Sequence, residues 1–337
     1  MNWTVSFVAE KRILVAGASG YAGALAAELV DRHPGFSLAA ATSRSDAGQR
    51  LSALYPQYRC DAVLEELSAG SHGHLDGAIV AYPHGASAPV VAALRAEGVP
   101  VVDLSADFRL RDQAVYEQWY VPHQAPELLA EAVYGLPERN RQEIKGAQLV
   151  ANPGCYPTAS VLALAPLAPF ISDVVIDAKS GVSGAGREAS AVTHFVSVDE
   201  NVKPYGVGHH RHMPEIDQEL ALAGASDLTV TFTPHLVPLD QGELVSCYAT
   251  LNQQVDIDAL YADAYDDERF VEVVDHLPGV REVRGTNLCR INVRIDERTG
   301  KAFVFAVIDN LWKGASSQAV QNLNLMLGFP EQQGLEL

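Results

Sequence analysis

Residues 12 to 34 read RILVAGASGYAGALAAELVDRHP, and the order of apolar and glycine positions in this stretch decides how the chain begins to fold. Ile13 to Ala16 form a short apolar run, glycines follow at 17, 20 and 23, and Leu25, Leu29 and Val30 repeat with helical spacing until Pro34 stops the pattern. This predicts strand, tight turn, helix. SLAAATS reads as a second strand, and GAIVAYPHG, ASAPVVAALRAEG and VPVVDLS add two more strands around a crossover helix. Such alternation over roughly the first 105 residues predicts an α/β, doubly wound parallel sheet. Further on, DLTVTFTPHLVP, GELVSCYATLN, LCRINVRID and KAFVFAVID are strand candidates with few helices between them, which predicts a mostly antiparallel sheet in an α+β domain. The final GASSQAVQNLNLMLGF reads as a helix with Ala319, Leu323 and Met326 on one face.

Composition bounds the function. The 337 residues are 48% hydrophobic and 20% charged, as in a globular protein of two domains. A net charge of −18 argues against nucleic acid and against a polyanionic partner, and it requires any phosphate site to rest on local cations or N–H groups. The four cysteines, Cys60, Cys155, Cys247 and Cys289, form no CxxC pair, so neither a disulfide framework nor a cysteine-rich zinc site is expected and a reducing cytoplasm is the natural setting. The opening MNWTVSFVAEKRILVAG has no basic region before its short apolar stretch, so no secretory leader is expected. ASVLALAPLAPF is too short and too proline-interrupted to span a bilayer.

The turn carrying Gly17, Gly20 and Gly23, with Ser19 and Tyr21 between them, has the spacing GxxGxxG. Between a first strand and its helix, such glycines let a pyrophosphate approach the backbone and meet the helix N-terminus. The alternative is a turn that serves close packing alone. At the end of the second strand, ATSRSDAG (41 to 48) offers Ser43 and Arg44, a hydroxyl and a guanidinium suited to a 2′-phosphate. NADP(H) is therefore favoured over NAD(H), with Asp46 as the residue that argues the other way.

In VANPGCYPTAS (150 to 160), Asn152-Pro153-Gly154 reads as a turn into a helix, which sets Cys155 at a helix N-terminus. Unpaired N–H groups there favour a thiolate. The bland reading is a small buried apolar residue. A nicotinamide cofactor with a reactive cysteine suggests acyl chemistry, in which a thiolate expels phosphate from an acyl phosphate and the resulting thioester is reduced to an aldehyde. Such chemistry needs a proton shuttle. GVGHHRHMPEI (206 to 216) supplies His209, His210, Arg211, His212 and Glu215. Zinc ligation and a solvated polar loop are the rival readings, but consecutive histidines diverge and no spaced cysteines accompany them, so no metal is expected.

DLSADFRL, YGLPERN, NPGCYPT, SGVSGAGR, HHRHMPEI and DNLWKGASSQAVQNLNLM, which run in the family's order over nearly the whole chain, closely resemble the N-acetyl-γ-glutamyl-phosphate reductases of arginine biosynthesis. The resemblance implies NADPH-dependent reduction of N-acetylglutamyl 5-phosphate to its semialdehyde, on a fold shared with aspartate-semialdehyde dehydrogenase. That fold is a Rossmann-type sheet domain, residues 1–154 completed by a C-terminal helix at 313–337, and a catalytic and oligomerisation domain at 155–312. It implies a homodimer or homotetramer. Residue by residue, Cys155 corresponds to the nucleophile and His212 to the acid and base, with His210 and Glu215 beside it. An ordinary histidine pKa suits both of those roles. Arg109 and Arg187 are candidates for the substrate's phosphate or carboxylate, because a guanidinium grips either with two hydrogen bonds, although each can instead form a structural ion pair. Ser183 and Gly184 belong to a loop expected to line the cofactor, and Asn310 is expected on the nicotinamide side. Met213 and the extra His209 depart from the family pattern.

Three rivals stand beside this reading. They are aspartate-semialdehyde dehydrogenase, a reductase of acyl phosphates tethered to an acidic carrier protein, and a non-catalytic NADP-binding sensor. HRHMPEI and YGLPE argue against the first, and the negative charge argues against docking an acidic carrier. Cys155 and His212 together argue against the sensor.

Overall fold

Strands β1 (Lys11–Ala16), β2 (Phe36–Thr42), β3 (Gly77–Val80), β4 (Val101–Asp103), β5 (Val133–Tyr134) and β6 (Leu149–Ala151) form one sheet in the order β2-β1-β3-β4-β6-β5. Every pairing in it is parallel. This computed structural model describes residues 10–68, 70–225 and 227–335, so the expectation for a leader at the extreme N-terminus lies outside the described residues. The strand order reverses between β1 and β3, and the carboxyl ends of strands at such a reversal are where open α/β sheets bind ligands. Ile13 to Ala16 are wholly buried, as a central strand covered on both faces requires.

Strands β7 (Ile171–Ser180), β8 (Lys203–Pro204), β9 (Thr229–Leu236), β10 (Glu243–Leu251), β11 (Val271–Val273), β12 (Cys289–Asp296) and β13 (Lys301–Ile308) form the second sheet, in the order β11-β12-β13-β10-β7-β9-β8. Its pairings are antiparallel except β7 with β9 and β11 with β12. Val174, Ile176 and Ala178 alternate inward along β7. The face they share is covered by the helix Cys155–Leu164, which lies on β10 and β13. This helix follows β6 through Asn152-Pro153-Gly154 alone, so the turn between the two sheets also carries the cysteine.

The last helix, Ser317–Met326, differs from its expected amphipathic form, since all ten residues are buried. It packs on the helices Tyr21–Asp31 and Pro137–Ile144 and its apolar residues join the core of the parallel sheet. Its polar residues are buried because each finds a partner. Gln318 donates to Thr158 Oγ1 at 3.0 Å, and Asn322 donates to the Gly135 carbonyl and to Asn152 Oδ1. Gln321 Oε1 accepts from Asn287 and from Lys313. Lys313 also pairs with Glu138 at 2.5 Å, both side chains fully buried. Among the described residues, no helix is long and apolar enough to cross a membrane.

Removing one partner of a fully buried pair strands the other charge. Lys313→Ala is expected to lower unfolding stability by about 3–5 kcal/mol, read from the midpoint of a urea titration. A loss below about 1 kcal/mol contradicts this account of the joint.

Candidate active site

The turn after β1 is held by its own backbone. Gly17 N–H and Ala18 N–H both donate to the Thr42 carbonyl. Gly17 has φ +88°, and a Cβ on it would stand 2.6 Å from the Ala81 carbonyl oxygen, while one on Gly23 would stand 2.2 Å from that of Gly17. Neither position admits a side chain. Gly20 differs, because a Cβ there would meet only the Gly17 carbonyl at 3.8 Å, so this side of the helix N-terminus is open. The turn therefore offers a cradle for a dinucleotide's phosphates, and packing alone accounts for only two of its three glycines.

Around it, Ser19 Oγ and Ser43 Oγ lie 2.8 Å apart, and Tyr55 OH donates to the Ser19 carbonyl. Tyr21 begins the helix and meets Tyr55 edge to face. Arg44 is exposed, with its guanidinium 5.2 Å from the centroid of the Tyr82 ring. Asp46 is buried and accepts from Ser45, Gln49 and Arg187. Arg187, expected near the substrate, therefore lies at the nucleotide turn, paired with Asp46 at 2.9 Å and donating to the Ser19 carbonyl. The sequence could not reveal this pairing across 141 positions.

Cys155 is the first residue of its helix, with Gly154 as the N-cap. His212 caps the helix Met213–Leu222. The two helices meet over Gly154, where a Cβ would stand 2.7 Å from His212 Nε2 and 2.9 Å from Arg109 Nη1. Glycine lets the His212 ring and the Arg109 guanidinium both close on the cysteine turn. Glu215, in the first turn of the second helix, fastens this arrangement. Its Oε1 accepts from Gly154 N–H and from Tyr134 OH, each at 2.9 Å, and its Oε2 lies 3.4 Å from Arg109 Nη1. Arg109 is 5% exposed and also donates to the carbonyls of Asn152 and Leu104 at 2.7 Å each. Its fork is thus largely engaged by the protein. His210 Nδ1 accepts the His212 N–H, and its ring packs against Tyr156, Tyr205 and His212.

Burial sets the protonation of these groups. Desolvation, then the charges of His210 and Arg109, hold the His212 imidazole well below its ordinary pKa, and its Nδ1 is buried without a hydrogen-bond partner among the described residues. His210 is lowered to about 4, first by burial and then by Arg211 and His209. The ordinary histidine pKa expected from sequence is therefore not kept. Cys155 retains some contact with solvent, but dense packing around the thiol, followed by Glu243, pushes its pKa well up. The thiolate expected at a helix N-terminus is outweighed. A terminal dipole contributes about 0.3–1 kcal/mol, whereas full burial shifts a thiol by as much as several pKa units at ~1.4 kcal/mol each.

Asn310 is buried, accepts from Gly242 N–H and donates to Ser183 Oγ at 3.0 Å, so it ties the Ser183-Gly184 loop to the start of β10. Tyr134, Tyr156, Tyr205, His84 and Glu243 surround the site without having been singled out in the sequence. His84 sits in AYPHG, where its Nδ1 accepts from Ala106 N–H. Among the described residues, no group of three His, Cys, Asp or Glu side chains is placed to hold a metal ion.

A dinucleotide-type parallel sheet joined to a mixed sheet by a cysteine-bearing turn, with His212 packed over Gly154 of that turn, is the arrangement of a two-domain dehydrogenase. Residues 12–147 match the family "Semialdehyde dehydrogenase, NAD binding domain" and residues 155–310 match "Semialdehyde dehydrogenase, dimerisation domain". The N-acetyl-gamma-glutamyl-phosphate reductase of Syntrophobacter fumaroxidans is 51% identical over 96% of this chain and 98% of its own, and that of Desulforudis audaxviator is 50% identical over 96% and 97%. In fold, the chain is similar to aspartate semialdehyde dehydrogenase II of Vibrio cholerae complexed with ASA, with TM-score 0.73, 19% identity and coverage of 95% and 98%. It is also similar to the aspartate semialdehyde dehydrogenase with NADP from Candida albicans, with TM-score 0.70, 15% identity and coverage of 95% and 99%. The chain belongs to the semialdehyde dehydrogenase family and, within it, to the N-acetyl-gamma-glutamyl-phosphate reductases.

Acid stability follows from the neutral histidines. His84 is lowered to about 3 by burial and by Arg109 and Arg211, and His210 to about 4, against about 6.5 in an unfolded chain. The unfolded chain takes up protons first as pH falls, so this stability is fully present above about 6.5 and is lost as pH falls toward 4 and then 3. His84→Asn is expected to lessen the loss of unfolding free energy between pH 7 and pH 5 by up to about 1.4 kcal/mol per pH unit, seen as a smaller drop in Tm. Parallel Tm profiles for variant and wild type contradict this.

Proposed function

We propose that the protein reduces N-acetyl-L-glutamyl 5-phosphate with NADPH to N-acetyl-L-glutamate 5-semialdehyde and phosphate, in arginine biosynthesis, through a thioester on Cys155. The observation that carries this reading is the meeting of Cys155, His212 and Arg109 over Gly154, at the joint between the two sheets. Reductases of that name, 46–51% identical over nearly their full length, support the substrate, while the aspartate semialdehyde dehydrogenases at 15–20% identity support the fold alone.

Gly17, Ser19, Gly20, Tyr21 and Gly23 would hold NADP(H), with Ser43 and Arg44 placed to receive its 2′-phosphate. Asp46, the acid that would otherwise grip an unphosphorylated ribose, is already engaged by Arg187. Ser183, Gly184 and Asn310 line the nicotinamide side. When bound, the cofactor supplies the hydride that reduces the thioester.

The chain's own residues handle the protons and the acyl group. His212, neutral in its buried setting, takes the Cys155 proton, and the sulfur attacks the acyl carbon as phosphate leaves. The substrate's phosphate brings negative charge beside His212, which raises its pKa and stabilises the imidazolium that results. Glu215 acts as a positioning residue, holding Gly154 N–H and the Arg109 guanidinium so that Arg109 Nη1 stays beside the cysteine turn. His210 orients His212 through its backbone N–H. Residues 1–154 with 313–337 form the cofactor domain and 155–312 the catalytic and oligomerisation domain, which associates as a homodimer or homotetramer. The exposed Phe195 and Val196, 73% and 78% accessible, support association through this second domain. Four free cysteines suit a cytoplasmic setting.

The test is phosphate-dependent NADP⁺ reduction with N-acetylglutamate 5-semialdehyde, run beside aspartate semialdehyde and repeated with Cys155→Ser. Activity is expected with the acetylated substrate and is expected to fall at least about a thousandfold in the variant. Tight NADP⁺ binding with no turnover would favour the sensor reading instead.

A further inference from the structure

Glu243 opens β10, opposite Ser180 of β7 and Ile308 of β13, and is fully buried. Neither of its carboxylate oxygens has a hydrogen-bond partner among the described residues. The helix Cys155–Leu164 lies on this part of the sheet, and Gly314 packs so closely that a Cβ there would stand 2.8 Å from Cys155 Cβ and 3.3 Å from Ile308 Cδ1. The Cys155 thiol lies near enough to Glu243 for each group to affect the other's titration. The other titratable groups that feel Glu243 are Asp309 after β13, Tyr156, Tyr205 and Cys289 of β12, and none of them is a cation. An ionised carboxylate without hydrogen bonds or a counter-charge is strongly disfavoured in such a place, so Glu243 stays protonated. Its pKa is pushed up to about 8 by burial, which outweighs the lowering effect of the neighbouring Cys155 thiol.

We propose that Glu243 acts as a neutral acid that donates its O–H to the Cys155 sulfur whenever negative charge gathers there. This rests on the assignment of Cys155 as nucleophile. As His212 removes the thiol proton, the sulfur lone pair forms the C–S bond and the C–O bond to phosphate breaks, its electron pair leaving with phosphate. When the reduced adduct collapses, the C–S bond breaks and its pair returns to sulfur. In both steps the Glu243 O–H supports the sulfur charge without being consumed. Raising the pH removes that proton and sets a second negative charge beside the thiolate, so the two groups titrate as a coupled pair.

The test is alkylation of the full-length protein by iodoacetamide across pH 6 to 10, read at the Cys155 peptide by mass spectrometry. It requires neither substrate nor cofactor, so failure of the reductase assay leaves this readout intact. Wild type is expected to rise in two steps. Glu243→Gln keeps a donor and loses the charge, so one step at lower pH is expected, with turnover within a few-fold of wild type. Glu243→Leu has no donor, so its single step is expected at higher pH than in the Gln variant, with turnover lower by at least about tenfold. A one-step wild-type profile overturns the proposal even if a variant fails to fold, and so does superposition of the Gln and Leu profiles.

Discussion

The carboxylate of Glu215 couples the two helices on which the site depends. It is buried near the start of one helix, yet it takes the N–H of Gly154 at the N-cap of the other, the hydroxyl of Tyr134 and the guanidinium of Arg109. A buried carboxylate must find such partners, and the partners it finds come from the end of the parallel sheet, from the cysteine turn and from the loop after β4. Gly154 makes the convergence possible, because any side chain there would collide with His212 and Arg109. The placement of Cys155 is therefore set by satisfying one charge and by leaving out one methyl group.

Low polarity governs the chemistry of the same region. Burial keeps the thiol protonated, keeps His210 and His212 neutral, and keeps Glu243 neutral. The protein does not store a thiolate. In the proposed reaction the charges appear when the acyl phosphate enters, since a phosphate stabilises imidazolium and water is already largely excluded. A thiol kept protonated by burial is also less open to oxidation and alkylation.

Much of this could be read in the sequence wherever a local pattern carried it. The strand, turn and helix of residues 12–34 obey short periods, and NPGCYP marks its own turn, so both sheets and the position of Cys155 followed from residues close together in the chain. Motif order singled out His212 and Glu215, which the structure brings to the cysteine turn. What escaped depends on contacts between distant positions. Arg187 is drawn to the nucleotide turn by Asp46, and Glu243 is one polar residue in an apolar strand, GELVSCYATLN, with no neighbour in sequence to reveal the cysteine beside it. The last helix differs in the opposite sense: its sequence sets Ala319, Leu323 and Met326 on one face, yet Gln318, Gln321, Asn322 and Asn324 are also buried and hydrogen-bonded inside the protein. The depressed histidine pKa values likewise come from burial, which a linear pattern does not show.

The central claim is that the acyl group passes to Cys155 before reduction. The most direct measurement mixes the protein with N-acetylglutamyl 5-phosphate in the absence of NADPH and follows phosphate release together with the mass of the Cys155 peptide. A burst of about one phosphate per subunit, with the acyl group on Cys155, is the predicted result. Phosphate release that waits for NADPH, or an acyl group attached elsewhere, would contradict the account.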